Sequence, residues 1–175
     1  KPDLIWFKCR STSHNHDLYD SVRGNTKRLI PNGTDTESTY SNLVQSFNVD
    51  GMTIGTANEM NDNGENFIAF CWKAGGSSNT FNVDGKGYAT AAEAGLSGGT
   101  GTITGASVNT KAGFSIIGYD THADASDKTY YHGLKKKPQI IIAKSRTSST
   151  SWGVYYTVNG ANTNWAQLES TNAQG

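Results

Sequence analysis

Cysteine, proline, methionine and charge are all scarce in this chain. Its 175 residues include two cysteines, three prolines and two methionines, and 15 basic residues balance 15 acidic ones. Two cysteines cannot build a disulfide framework, and Cys9 and Cys71 each lie in an apolar run, so both are expected as small buried side chains. A net charge of zero removes the attraction by which nucleic-acid binders displace counterions from phosphates, so no nucleic-acid partner is expected. No apolar run approaches the length needed to cross a bilayer, and no membrane insertion is expected. Helix formers such as leucine and glutamate are few. Glycine, serine, threonine and asparagine are abundant and the aromatics recur in short periodic clusters, which is β composition.

Catalytic patterns are also missing. There is no nucleophile elbow, no serine, histidine and aspartate set with a spacing logic, and no paired carboxylates in a recognisable strand context. The chain is read as non-enzymatic, with no catalytic residues, cofactor or metal. His14-Asn15-His16 could place two imidazoles on one side of an extended strand, but no cysteine or carboxylate cluster completes a ligand set, and it reads as a polar loop. The oxygen-rich stretch Asn58 to Glu65 lacks the glutamate spacing of a calcium loop and reads as a tight turn at Gly64.

What is present is a repeat. Lys1-Pro2-Asp3-Leu4-Ile5-Trp6-Phe7-Lys8-Cys9-Arg10 returns as Lys137-Pro138-Gln139-Ile140-Ile141-Ile142-Ala143-Lys144-Ser145-Arg146, and Tyr19, Val22 and Gly24 fall on Tyr155, Val158 and Gly160 at the same offset. The run Asp3 to Cys9 has apolar residues on both alternating faces and reads as a central strand. Asp17 to Val22, Met52 to Ile54 and Asn66 to Lys73 are further strands in the first copy, and Gly153 to Val158 in the second. Phe114 to Tyr119 and Lys128 to Leu134 read as a hairpin leading into the second copy. Between the first copy and this hairpin, Ala74 to Ala112 is rich in small residues and reads as a connector, in which Thr90-Ala91-Ala92-Glu93 has the form of a capping box and Gly95 would end a short helix.

The expected fold is all-β: two related antiparallel β-sandwich-like units, with a glycine-rich connector and one short helix. The boundaries fall at residues 1–74 for the first unit, 75–112 for the connector and 113–175 for the second unit. The first copy has a closing strand and no lead-in hairpin, and the second the reverse. The chain is accordingly expected to be a segment of a longer modular polypeptide.

Positions that differ between the copies are where function can vary. Asp20 and Arg23 become Tyr156 and Asn159 together, which suggests a structural ion pair bracing the turn at Gly24. Among the aromatics, Tyr19 and Tyr155 are retained and assigned to the fold. Trp152, Tyr156 and Trp165 replace His16, Asp20 and Leu29, and form the candidate ligand surface for stacking against a sugar.

Three stretches carry a family likeness: Lys1-Pro2-Asp3-Leu4-Ile5-Trp6-Phe7-Lys8, Leu18-Tyr19-Asp20-Ser21-Val22-Arg23-Gly24, and Gly64-Glu65-Asn66-Phe67-Ile68-Ala69-Phe70-Cys71-Trp72-Lys73-Ala74-Gly75. With Phe81-Asn82-Val83-Asp84, Gly113-Phe114-Ser115-Ile116-Ile117 and His132-Gly133-Leu134, the chain resembles a repeated β module of marine tailed bacteriophages over nearly its whole length. The resemblance implies a virion structural protein, assembled in the host cytoplasm and placed at the tail or particle surface. The expected role is a tail fibre or tail-associated module for host-surface contact, homo-oligomeric, with other virion proteins and copies of itself as partners. A capsid-surface decoration or head fibre protein, and a carbohydrate-binding adhesin module recognising host-surface glycans, are the alternatives.

Overall fold

The computed structural model describes residues 1–120, 126–158 and 161–171. Its elements run β1 (Leu4–Cys9), β2 (Asp17–Asp20), β3 (Gly24–Leu29), β4 (Ser38–Thr39), β5 (Val44–Asn48), β6 (Gly51–Ile54), α1 (Asn58–Asn61) and β7 (Phe67–Trp72). Then follow β8 (Phe81–Val83), β9 (Lys86–Tyr88), β10 (Thr102–Asn109), β11 (Phe114–Asp120), β12 (Ile140–Ala143), β13 (Gly153–Val158) and β14 (Ala161–Gln167). The fold is all-β, built from antiparallel pairings and, among the described residues, a single parallel one between β8 and β10.

The first sheet has the order β4-β3-β2-β1-β7, so the apolar run of β1 is indeed internal, paired on both sides. Ile5, Phe7 and Cys9 point to one face and Leu4, Trp6 and Lys8 to the other, as the two-residue period of a strand requires. The hairpin β5-β6 and helix α1 cover the first face: Leu43, Val44 and Met60 pack on Ile5, Phe7 and Tyr19. Burying a side chain of the size of Ile5 contributes about 1.5–3 kcal/mol. On the opposite face Leu18 and Leu29 meet Trp152 and Leu168 from the second copy.

The stretch expected as a connector is instead a sheet with its own core. Its order is β11-β10-β8-β9, and Phe81, Leu96, Ile103, Ala106, Val108 and Leu134 pack together. Low apolar content reads as a linker when small residues are counted singly, yet Ala106 and Ser107 of β10 are fully buried because neighbouring backbones approach them closely. Gly75 shows the same constraint, since a Cβ there would lie 2.5 Å from the Asn82 carbonyl oxygen. Four further expectations change. Phe114 to Tyr119 pairs backward with β10 and not with 128–134, across a turn closed by the Gly113 amide on the Asn109 carbonyl. The capping box forms, with Thr90 and Glu93 exchanging side chain to backbone bonds, but Gly95 at φ +69° ends the segment after one turn without a helix. The single helix among the described residues is α1, in the stretch read as a tight turn, where burial of Met60 against the first sheet stabilises one turn of a polar sequence. Cys9 is buried as expected, whereas Cys71 is exposed.

The two copies fold alike at their start. Leu4↔Asp20, Ile5↔Tyr19, Trp6↔Leu18 and Phe7↔Asp17 in β1-β2 are matched, residue for residue at the repeat offset, by Ile140↔Tyr156, Ile141↔Tyr155, Ile142↔Val154 and Ala143↔Gly153 in β12-β13. The retained lysines act alike too: Lys8 Nζ donates to the Thr12 carbonyl at 3.5 Å and Lys144 Nζ to the Ser148 carbonyl at 3.3 Å. Gly160 and Asn159, expected to form the turn of the second copy and to replace Arg23, lie outside the described residues.

Asp3 joins the first sheet to the four-stranded one. Its fully buried carboxylate accepts from Ser21 Oγ at 2.8 Å, the Ala74 amide at 2.8 Å and Ser107 Oγ at 3.1 Å, while Ser107 Oγ accepts from the Gly75 amide at 2.8 Å. The Asp3 backbone is bonded as well, to the Trp72 carbonyl and the Ser21 amide. Asp3→Ala strands buried donors from three segments and should lower unfolding free energy by about 3 kcal/mol in urea denaturation, since hydrogen bonds to charged groups are worth about 1.5–3 kcal/mol each; a loss below about 1 kcal/mol would contradict this role. In thiol titration of the native protein one cysteine should react rapidly and Cys71→Ser should abolish that reaction; a fast phase surviving the substitution would place Cys9 at the surface.

Candidate functional site

The pair Asp20 and Arg23 meets at the turn before β3. Asp20 Oδ1 accepts from the backbone amides of Val22 and Arg23, fixing the turn, and Oδ2 accepts from Arg23 Nε at 2.5 Å. Arg23 is nearly buried and spends its remaining donors on the carbonyls of Lys27 and Leu18 and on Glu37. Glu37 in turn takes a two-pronged contact from Arg146 of the second copy, both bonds at 2.9 Å. Burial alone would raise the Glu37 carboxyl; the bonds and charges of Arg146 and Arg23 outweigh it and bring the group below its ordinary value. Each charge in this row is answered by protein, so the row braces the join between the copies.

Trp152 belongs to the same join and departs from its expected place at the surface. It is 3% exposed, packed on Leu18 and Leu29, and its indole N–H donates to the carbonyls of Ile30 and Gly33. Lys144 Nζ reaches the Thr34 carbonyl. A loop of the first copy, residues 30–37, is thus held by Lys144, Arg146 and Trp152. The identity of Trp152 as an unretained aromatic indicated difference between copies, and the difference is that it packs one copy on the other.

The other two members of the expected surface do not converge. Tyr156 is half-buried opposite Ile140, whereas Trp165 lies opposite Tyr155 on the other face of the three-stranded sheet β12-β13-β14. Trp165 corresponds to Leu29, which stands opposite Leu18; at the same register it would face Val154, but Val154 pairs with Ala166. The third strand has slipped by one residue, and such a slip turns a side chain to the opposite face. Tyr155, assigned to the core because Tyr19 is retained there, is half exposed while Tyr19 is fully buried.

The histidine pair makes a local contact: Trp6 Nε1 donates to His16 Nδ1 at 2.9 Å with the rings edge to face. Burial and the Lys8 charge lower the His16 basicity, favouring the neutral ring that this acceptor role needs. Among the described residues, no group of three His, Cys, Asp or Glu side chains is placed to hold a metal.

Aromatic surface is exposed elsewhere, on β7. Ile68, Phe70 and Trp72 share one face of this edge strand and each is more than a third exposed; Phe70 and Trp72 lie 6.3 Å apart, and Trp72 stacks on Phe114 of β11 at 6.4 Å and 25°. This strip is apolar, and its Trp72 end meets Phe114 of the four-stranded sheet. It suits stacking against a planar or ring-shaped ligand face. The sequence signal was the alternation itself: a strand apolar on both faces reads as doubly covered, but β7 ends the sheet and only part of it is overlaid. Behind it, an apolar cleft of about 230 Å³ is lined by Phe7, Met52, Ile54, Met60, Phe67, Ile68 and Ala69.

A family model for a domain of unknown function, DUF7483, matches residues 1–175. The chain belongs to the DUF7483 family. The match spans both copies of the repeat and the sheet between them. No curated protein and no solved structure matches the chain.

One buried carboxyl of this DUF7483 member carries a pH consequence. Asp17 is bonded through Oδ1 to Arg28 while its Oδ2 has no partner, and burial, opposed by Arg28, pushes it up to about 6. A carboxyl raised in the folded state stabilises below its unfolded value near 4, and that contribution is lost as pH rises through about 6. Relative to Asp17→Asn, the wild-type protein should therefore gain stability between pH 7 and pH 4.5 in parallel denaturation series; equal pH slopes would refute the assignment.

Proposed function

We propose that the chain is a non-enzymatic structural module of a tailed-bacteriophage virion, part of a tail fibre or tail-associated protein that makes contact with the host surface. Its partners on this reading are other virion proteins, further copies of itself and glycans of the host envelope. The observation that carries the reading is the β7 strip of Ile68, Phe70 and Trp72, continued by Phe114, presented on a scaffold whose sheets are tied together by buried hydrogen bonds. Two β units interlocked in tandem give a stiff repeating body, suited to extension along a fibre, and the resemblance to phage modules supports the same role. Aromatic faces bind sugars by stacking, without cofactor or covalent chemistry. Tyr156 and Trp165, on opposite faces of the three-stranded sheet, are each less suited to this contact than the β7 strip.

The purified chain should bind cells of the phage host and reduce phage adsorption. Phe70→Ala and Trp72→Ala should each weaken that binding by about two- to tenfold, since an aromatic contact is worth roughly 0.5–1.5 kcal/mol, while the protein stays folded because both side chains are more than a third exposed. Binding to assembled capsids in place of cells would transfer the module to the head surface, and release of sugar fragments from envelope material would overturn the non-enzymatic reading.

A further inference from the structure

The duplication allows one surface to be compared with a covered version of itself. In the first copy the apolar face of β1-β2 is closed: Ile5 and Tyr19 are fully buried beneath Leu43, Val44 and Met60, and the outer edge of β1 carries β7 through six residue pairs from Leu4↔Trp72 to Cys9↔Phe67. In the second copy the pairing of β12 with β13 is the same, yet Ile141 and Tyr155, at the positions of Ile5 and Tyr19, are 45% and 47% exposed. Trp165, opposite Tyr155, is 43% exposed on the same face. Among the described strands, β12 ends its sheet with no strand on its outer side. An apolar row of this kind beside an open strand edge is a template for another strand.

We propose that this face and edge receive a partner polypeptide segment patterned like residues 43–72, the pattern that covers the equivalent face in the first copy. The segment would bring an apolar hairpin and a single helical turn over Ile141 and Tyr155, then an antiparallel strand along Ile140–Ala143. The first copy shows the chemistry required: two aliphatic side chains at the hairpin entry, a long flexible apolar side chain on the helical turn, and a strand able to pair at every residue. A second molecule of this chain is a poorer donor, because its own residues 43–72 are committed to the first copy, where Leu43, Val44 and Met60 are fully buried or nearly so and would have to be withdrawn. The inference stands apart from the virion reading, since it rests on the repeat and not on what the β7 strip binds.

The repeat offset also sets the test. Gly175 falls at the position of Thr39, so appending a copy of residues 40–73 after Gly175 continues the second copy in phase. In this extended protein the amides of Ile140–Ala143 should exchange with solvent at least about tenfold more slowly than in the 175-residue chain, as expected for protected ladder positions. Tryptophan emission should shift to the blue as Trp165 is covered. Ile141→Asp, at a half-exposed site that the 175-residue chain can tolerate, should abolish both changes. Unaltered exchange at Ile140–Ala143 in the extended protein would overturn the proposal. So would a concentration-dependent dimer of the 175-residue chain that dissociates on Ile141→Asp in sedimentation, because the occupant would then be a second copy.

Discussion

The structure depends on one buried carboxylate. Asp3 lies at the entry to β1, and through it three segments distant in sequence are tied: the turn after β2 by Ser21, the exit of β7 by Ala74, and the centre of β10 by Ser107. A charge so fully removed from water is tolerated only because both oxygens accept hydrogen bonds, and because Ser107 passes the network on to Gly75. The result is that the first sheet and the four-stranded one are tied to each other by hydrogen bonds as well as by the stacking of Trp72 on Phe114. Small residues at the crossing serve this purpose, since Ala74, Gly75, Ala106 and Ser107 let backbones and short polar side chains reach one another. The glycine-rich character of the middle of the chain is therefore a packing requirement and not a sign of a linker.

A second set of contacts joins the copies by different means. Glu37 is shared between Arg23 and Arg146, and Trp152 gives an apolar body to the first sheet and its N–H to two carbonyls of the loop 30–37. An exposed ion pair would contribute little, but Arg23, Asp20 and Glu37 are largely removed from water and held in a fixed geometry by backbone groups. Asp17 presents the opposite balance: its burial exceeds what Arg28 returns, and its Oδ2 is left without a hydrogen-bond partner, as is the Tyr19 hydroxyl. The first copy thus combines one fully answered buried carboxylate with another that is only partly answered, and stability follows the second as pH changes.

The repeat also shows how the same sequence pattern leads to different surfaces. Its first two strands keep register and the retained lysines close the same loop, so these positions define the common unit. Divergence begins at the third strand, where a one-residue slip carries Trp165 to the face opposite that of Leu29. Coverage then separates the copies: Ile5 and Tyr19 lie under a hairpin and helix, and Ile141 and Tyr155 do not. Surface exposure of the second face is consequently a property of what packs on it, independent of the residues it presents.

The sequence by itself determined the all-β class, the duplication, the internal position of β1 and the meeting of Asp20 with Arg23, because each is a local or periodic signal: strand alternation, an offset shared by many residues, and two charges lost together. Only the tertiary structure decided that residues 75–112 form a packed sheet, that the helix lies at Asn58–Asn61, that Trp152 is an internal joint and that the aromatic strip lies on β7. The physical reason is common to these four. Burial of Ala106, Ser107, Met60 or Trp152 is set by residues brought from elsewhere in the chain, and the openness of Phe70 and Trp72 by the absence of a further strand beside β7 among the described residues. A strand's two faces are written in its alternation; which of them is covered is decided by the partners that arrive.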